Sequence, residues 1–273
     1  MMNARSPLKW LGSKASIIDT LRQHLPAGKR LVEPFVGSGS VFLNTDYEHY
    51  LLFDINGDLI NFHNMVKKLP EPLIREARNL FNEYKTEAGY YTVRADFNLR
   101  CDSNFLYRAA QFLYLNRHGF NGVCRYNLNG EFNVPFGHRL KPYFPENEIR
   151  AFSEKAKNAD FMCCSFEEAL RFIMPGDVIY CDPPYIPASD TANFTSYHTA
   201  GFTSQQQQKL SRILRKAASR GCHVVASNSE TSAALDLYSD FSITTITTRR
   251  SVSASTAGRV KAGEIITTMA AKK

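Results

Sequence analysis

The stretch Val178-Ile179-Tyr180-Cys181-Asp182-Pro183-Pro184-Tyr185 constrains this chain most. Val, Ile and Tyr favour a buried strand. Two successive prolines then forbid both a helix and further ladder bonding, so the backbone past Asp182 stays extended and irregular. Asp182 is therefore expected at the carboxyl end of a strand, the edge of an open α/β sheet at which ligands bind. A carboxylate, a proline carbonyl and an aromatic ring in one short turn could grip a flat, amino-bearing group such as a nucleobase.

The remaining strand candidates are Leu31 to Phe35, Tyr50 to Asp54, Asp160 to Cys164, Gly221 to Asn228, Phe241 to Thr247 and Glu264 to Met269. They alternate with helical patterns at Ala15 to Leu25, Val41 to Asn44, Asn56 to Val66, Phe166 to Ile173 and Gln205 to Ser219, which is an α/β pattern. It is interrupted from about Lys67 to Arg150. There the chain turns helical, with Leu106 to Leu115 as a buried helix, and then becomes rich in Asn, Gly, Arg and aromatics. At 273 residues the chain suits one large domain carrying an insertion better than two equal domains. The expected division is a main domain of residues 1–66 and 151–273 with an inserted unit at 67–150.

Several motifs carry chemistry. Lys9-Trp10-Leu11-Gly12-Ser13-Lys14 places the only tryptophan between two lysines beside a glycine, and reads either as a cofactor or phosphate cradle or as a helix start capped by Ser13. Val36-Gly37-Ser38-Gly39-Ser40 is a glycine-rich turn that lets a ligand approach main-chain amides. Asp54 ends the second strand, where an acid can hold ribose hydroxyls; otherwise it caps the next helix, unless Asp58 takes that work. Asn116 to Gly137 supplies side chains that read base edges, with Asn129-Gly130 as its hairpin turn. The other reading of that segment is a polar surface hairpin. Ile186 to Phe202 reads as a mobile loop, and Arg249 to Ser255 as a basic loop suited to phosphate or as a solvated hairpin tip.

A net charge of +7 points toward a polyanionic partner. Six cysteines without paired spacing suggest reduced thiols. The start lacks the apolar core of a signal peptide, and no run reaches membrane-spanning length, so a cytoplasmic protein with no membrane partner is expected. His63, His118, His138, His198 and His223 show no metal-ligand spacing, so no metal is expected.

Taken in order, Lys9 to Lys14, Phe35 to Gly39, Asp54, the Asn/Arg-rich insertion and Asp182-Pro183-Pro184-Tyr185 closely resemble the Dam-type DNA adenine methyltransferases, over nearly the whole chain. Asp-Pro-Pro-Tyr alone is moderately specific, because related tetrapeptides serve other amino methylations; the ordered set is strong. The resemblance implies a Rossmann-like, S-adenosylmethionine-dependent methyltransferase sheet with helices on both faces and an inserted, mainly helical target-recognition region with a β-hairpin. It also implies transfer of a methyl group from S-adenosylmethionine to N6 of a flipped-out adenine in double-stranded DNA containing GATC, by a monomer.

By position, the family resemblance assigns Trp10, Lys14, Phe35, Gly37, Gly39, Asp54 and Asp182 to the cofactor. Asp182, Pro183 and Tyr185 would carry catalysis. Lys9, Asn121, Val123, Arg125, Pro135 and Arg139 would contact DNA, with Arg117 and Asn133 in the same block without a clear role. Members of the family carry Arg then Tyr where this chain has His138 then Arg139, and Leu11 and Ser13 also depart from the pattern. The alternatives are methylation of cytosine N4 or RNA, or a DNA-binding regulator that has lost catalysis.

Overall fold

A computed structural model describes residues 3–99, 104–138, 141–186, 202–249 and 261–272. Among them, seven strands form one sheet in the order β3-β2-β1-β4-β5-β7-β6. The strands are β1 (Arg30–Glu33), β2 (His49–Asp54), β3 (Ala159–Cys163), β4 (Val178–Cys181), β5 (His223–Ser229), β6 (Ser242–Arg249) and β7 (Lys261–Met269). The pairs from β3 through β5 are parallel, and β7 enters antiparallel between β5 and β6.

Both sheet faces are covered, and the alternation of side chains shows why these segments are strands. Leu31, Tyr50, Leu52, Val178, Tyr180 and Val225 enter one core; Val32, Leu51, Phe53, Ile179, Cys181, Val224 and Ala226 enter the other. The second core is closed by α9 (Ser204–Ser219) through Leu210, Leu214 and Ala217. The first continues without a break from α3 (Gly57–Lys68) into α4 (Pro70–Glu83), α5 (Glu87–Asn98) and α6 (Phe105–His118). The inserted helices therefore share the main core. Helix α7 (Glu146–Lys155) leads back to β3.

Several boundaries differ from those the sequence suggests. Ser13 caps nothing: Lys14–Ser16 is a single 3-10 turn, and α1 (Ile18–His24) begins only after Ile17, whose φ of −119° breaks the helix. The glycine turn feeds α2 (Ser40–Leu43), and α8 (Phe166–Ala169) is shorter than the pattern implies. Neither acid caps α3. Asn56 does, accepting from the amides of Asp58 and Leu59 at 3.1 Å each. Asp58 instead binds Arg108 of α6 at 2.6 Å and accepts from the Tyr126 hydroxyl at 2.7 Å, tying the hairpin to α3 and α6. That hairpin turns as expected near Asn129-Gly130, but over Asn127 to Gly130, with Gly130 left-handed at φ 74° and Tyr126 bridging Phe132.

Two buried histidines give the fold a pH dependence. The His63 ring stacks on Phe152, with centroids 5.0 Å apart, and its Nε2 meets the Gly37 carbonyl at 2.8 Å. Burial pushes the pKa of His63 down to about 4, and that of His118 likewise to about 4. Each binds its proton more readily in the unfolded chain. Their contribution is therefore whole above the ordinary histidine pKa of about 6.5 and is lost as pH falls toward 4, by roughly 3 kcal/mol for each. Urea unfolding should show His63→Asn losing less stability than the wild type between pH 7 and pH 5. Equal losses would remove His63 as a source.

Candidate functional site

Chain order reverses between β1 and β4: β2 and β3 lie on one side, β5 on the other. A crevice opens at such a switch point, at the carboxyl ends of the strands. The pairing of Leu31 with Val178 and Val32 with Ile179 brings the turn after β1 level with Asp182 after β4. The first sequence motif joins them. Lys14 donates its amide to Ser40 Oγ (3.2 Å) beside the glycine turn, and its ammonium lies 2.7 Å from Asp182 Oδ2. It also lies 4.9 Å from the centroid of the Tyr185 ring.

The glycine turn is built for close approach. Gly37 and Gly39 hold φ of 50° and 73°, in the region that disfavours side chains, and a Cβ on Gly37 would stand 2.9 Å from Trp10 Nε1. The indole thus lies directly against the turn. Behind it, His63 binds the Gly37 carbonyl, while Asp54 accepts from the Gly37 amide at 3.1 Å and from Asn56 at 3.0 Å. Phe35 stacks on Phe166, with centroids 5.7 Å apart, at the crevice wall. All the residues expected to hold a cofactor are therefore gathered around one switch point.

Electrostatics single out Asp182. Burial raises its pKa, and the Lys14 ammonium works against that rise, favouring the carboxylate. Its Oδ1 is buried without a hydrogen-bond partner among the described residues. Glu33, at the end of β1, is 2% exposed and leaves Oε1 equally unpartnered. Burial first, and then the charge of Asp182, hold its carboxyl well above the usual range. Buried acceptors left open in this way are rare, and donors from a ligand would satisfy both.

The segment past Asp182 has no ladder to hold it. Side chains from three other elements do that work instead. Gln207 of α9 donates to the Pro184 carbonyl (2.7 Å), Asn228 of β5 accepts from the Ile186 amide (3.2 Å), and Ser229 donates to the Ile186 carbonyl (2.7 Å). Glu264 of β7 accepts from the Tyr185 hydroxyl at 3.0 Å. Sequence reasoning missed these four residues. Gln207 sits in a run of glutamines and Glu264 inside a strand pattern, and neither carries a local signal.

The base-reading candidates form a second cluster. Buried Asn116 accepts from the Lys9 amide (2.9 Å) and donates to the carbonyls of Lys9 (2.8 Å) and Gly122 (3.1 Å). A side chain on Gly122 would run into the stem of Lys9. Asn121 is left-handed at φ 53° and exposed, Val123 is half-buried, and Arg125 and Pro135 are exposed. The Phe120 amide donates to the Pro135 carbonyl at 2.9 Å, closing the ribbon. Asn133 gains a role: its Oδ1 accepts from Arg125 Nε at 2.8 Å and its carbonyl from Nη2 at 3.3 Å. Arg117 gains one too, as a buried side chain that donates to the Pro7 carbonyl beneath Lys9. Arg139, most of the 186–202 loop and most of the 249–255 loop lie outside the described residues.

Among the described residues no helix is long and apolar enough to cross a membrane, and no group of three or more His, Cys, Asp or Glu side chains could hold a metal ion.

The sequence of this chain is 46% identical over 268 residues to the DNA adenine methylase of Serratia marcescens, covering 97% of this chain and 98% of that protein. It is 48% identical to the DNA adenine methylase of Vibrio cholerae O395, covering 97% and 96%, and 47% identical to that of Escherichia coli K12, covering 97% and 95%. The family model for D12 class N6 adenine-specific DNA methyltransferase matches residues 10–252, from Trp10 past Asp182 and beyond the end of β6. With that match, and with its motifs meeting at one switch point of an α/β sheet, the chain belongs to the D12 class of N6 adenine-specific DNA methyltransferases.

Proposed function

We propose that the chain methylates N6 of a flipped-out adenine in duplex DNA, within GATC, using S-adenosylmethionine. The observation that carries this is the Asp182 carboxylate. It stands at the switch point with one oxygen on Lys14 and the other buried and open, beside a turn shaped for close approach.

The crevice fits the cofactor. Trp10, Lys14, Phe35, Gly37, Gly39 and Asp54 would hold it, with Asp54 toward the ribose and the open acceptor of Glu33 suited to a cationic end. When bound, S-adenosylmethionine supplies a methyl group already activated by its sulfonium. What the chain's own residues do is prepare the acceptor.

An adenine amine is a weak nucleophile because its lone pair is shared with the ring. Asp182 Oδ1 and the Pro183 carbonyl would accept its two N–H bonds, drawing the nitrogen toward tetrahedral geometry and releasing the lone pair. This is positioning and electrostatics rather than proton abstraction before attack; the proton that N6 must shed on gaining the methyl group would pass to Asp182 or to water after transfer. The Lys14 ammonium works against the rise that burial imposes on the Asp182 pKa, and so favours the carboxylate, the form that accepts rather than donates. Flipping the base costs a few kcal/mol. Stacking on Tyr185, worth about 1–3 kcal/mol, offsets much of that cost.

Lys9, Asn121, Val123, Arg125 and Pro135 are proposed to read the bases, with Arg139 at the backbone. Residues 67–150 are proposed as the target-recognition unit of a cytoplasmic monomer. The test is incubation of purified protein with labelled S-adenosylmethionine and duplexes that contain or lack GATC, followed by base analysis. Label is expected on N6-methyladenine in the GATC duplex alone. Label on cytosine, label on the duplex lacking GATC, or no label overturns the proposal.

A further inference from the structure

Tyr185 sits in a segment with no strand partner, yet a stacking wall has to stand still to define where a base comes to rest. The flanking backbone is pinned by Gln207, Asn228 and Ser229. The ring itself is held from elsewhere, because its hydroxyl donates to Glu264 Oε2 at 3.0 Å.

Glu264 is well placed to act as a fixed post. It lies in β7 between two strands, paired with Ser229 of β5 and Ile246 of β6, so its backbone cannot swing. Its neighbour Gly263 seats that strand tightly, accepting from the Glu230 amide at 2.9 Å, and a side chain at Gly263 would collide with the Glu230 carboxylate.

The tyrosine hydroxyl lies on the long axis of the ring. A bond to it fixes where that axis points, which is set by χ1, and leaves rotation about the axis free. That second freedom is limited by the Lys14 ammonium, 4.9 Å from the ring centroid. Lys14 in turn is anchored on Asp182. The four side chains thus form one chain of contacts, from the acceptor of the adenine amine to the post on β7.

We propose that Glu264 is a positioning residue for adenine methylation, its carboxylate holding the Tyr185 hydroxyl so that the ring on which the target base stacks is set at a fixed angle to Asp182. The proposal rests on the reading of Tyr185 as the stacking wall. Glu264 touches neither base nor cofactor in this role; it acts through Tyr185, while its charge also raises the pKa of Asp182. What matters is the accepted hydrogen bond rather than the charge.

Single-turnover methylation and the fluorescence of 2-aminopurine at the target position, measured on E264L, E264Q, Y185F and Y185F/E264L, test this. E264L and Y185F should each lower the methylation rate about 10- to 100-fold, the scale of a misplaced reacting group, and change the 2-aminopurine signal while duplex affinity stays within about twofold. E264Q keeps an acceptor and should stay within about threefold of wild type, and the double variant should be no slower than either single one. Additive losses in the double variant, an E264Q as slow as E264L, or an unimpaired E264L each overturn the proposal. If E264L does not fold, E264M carries the test, since it keeps the length of the side chain and removes the acceptor, and wild-type rates in E264M overturn the proposal; Y185F alone does not carry it, because the Tyr185 hydroxyl also hydrogen-bonds Asp182. A wild-type chain that places no label on adenine overturns the reading of the site and this proposal together; an active wild type with an unimpaired E264L overturns the proposal alone.

Discussion

Asp182→Asn is expected to bind GATC duplex as the wild type does and to lose most of its methyl transfer, by about 10²–10³-fold, the cost of removing one preorganised electrostatic partner of a reacting group. Asparagine keeps the shape and changes the chemistry. Its amide presents N–H donors where the adenine amine needs acceptors, and it leaves the Lys14 ammonium, which is 2.7 Å from the carboxylate, without its anion. The side chain of Lys14 is only 6% exposed, so water compensates little. DNA affinity is expected to be spared because the residues proposed to contact DNA between Asn121 and Pro135 lie on the ribbon, not at the switch point. Single-turnover methylation alongside fluorescence anisotropy separates the two effects. Near-normal transfer by the asparagine variant would sink the acceptor role.

For Arg125→Ala the expected result is relaxed choice of base at one guanine position, by about 1–3 kcal/mol of discrimination, with turnover on the best site little changed. The structure makes this specific. Asn133 occupies the Nε side of the guanidinium and one N–H of Nη2, which leaves the opposite edge, Nη1 with the outer N–H of Nη2, facing away from Asn133 on an exposed residue. Two parallel donors in that arrangement match guanine O6 and N7. Competition among duplexes substituted singly at each position of the site measures it. An unchanged preference at every position counts against Arg125 as a base reader.

Much of the sheet is legible in the sequence because strands buried on both faces leave short apolar runs bounded by Gly, Pro and Asp. Leu31, Tyr50 and Val178 are recognisable in that way, and the structure moves most of those strand ends by one or two residues. Where local signals compete, the sequence is a poorer guide. Ser13, Asp54 and Asp58 are all plausible caps by residue type, and Asn56 takes the work at α3 because its own backbone is extended at the N-cap while Asp58 already lies within the first turn. The hairpin turn is visible as Asn-Gly, but its register is set by Tyr126 and Phe132 packing against one another and by Asp58 receiving the Tyr126 hydroxyl.

The site divides along the same line. The sequence by itself determines the parts with local chemistry: a carboxylate halted at a strand end by two prolines, glycines where a ligand must come close, an acid after the second strand, and a stretch of Arg and Asn able to read bases. Only the tertiary structure decides how they meet. The reversal of strand order between β1 and β4 sets Asp182 beside the glycine turn, and Lys14 reaches it from the first motif. The same holds for Gln207, Asn228, Ser229 and Glu264, which grip the segment after Asp182 from three other elements. A proline-rich segment has given up its own ladder bonds, and the side chains that replace them are chosen by proximity in space, for which a linear sequence carries no periodic or local mark.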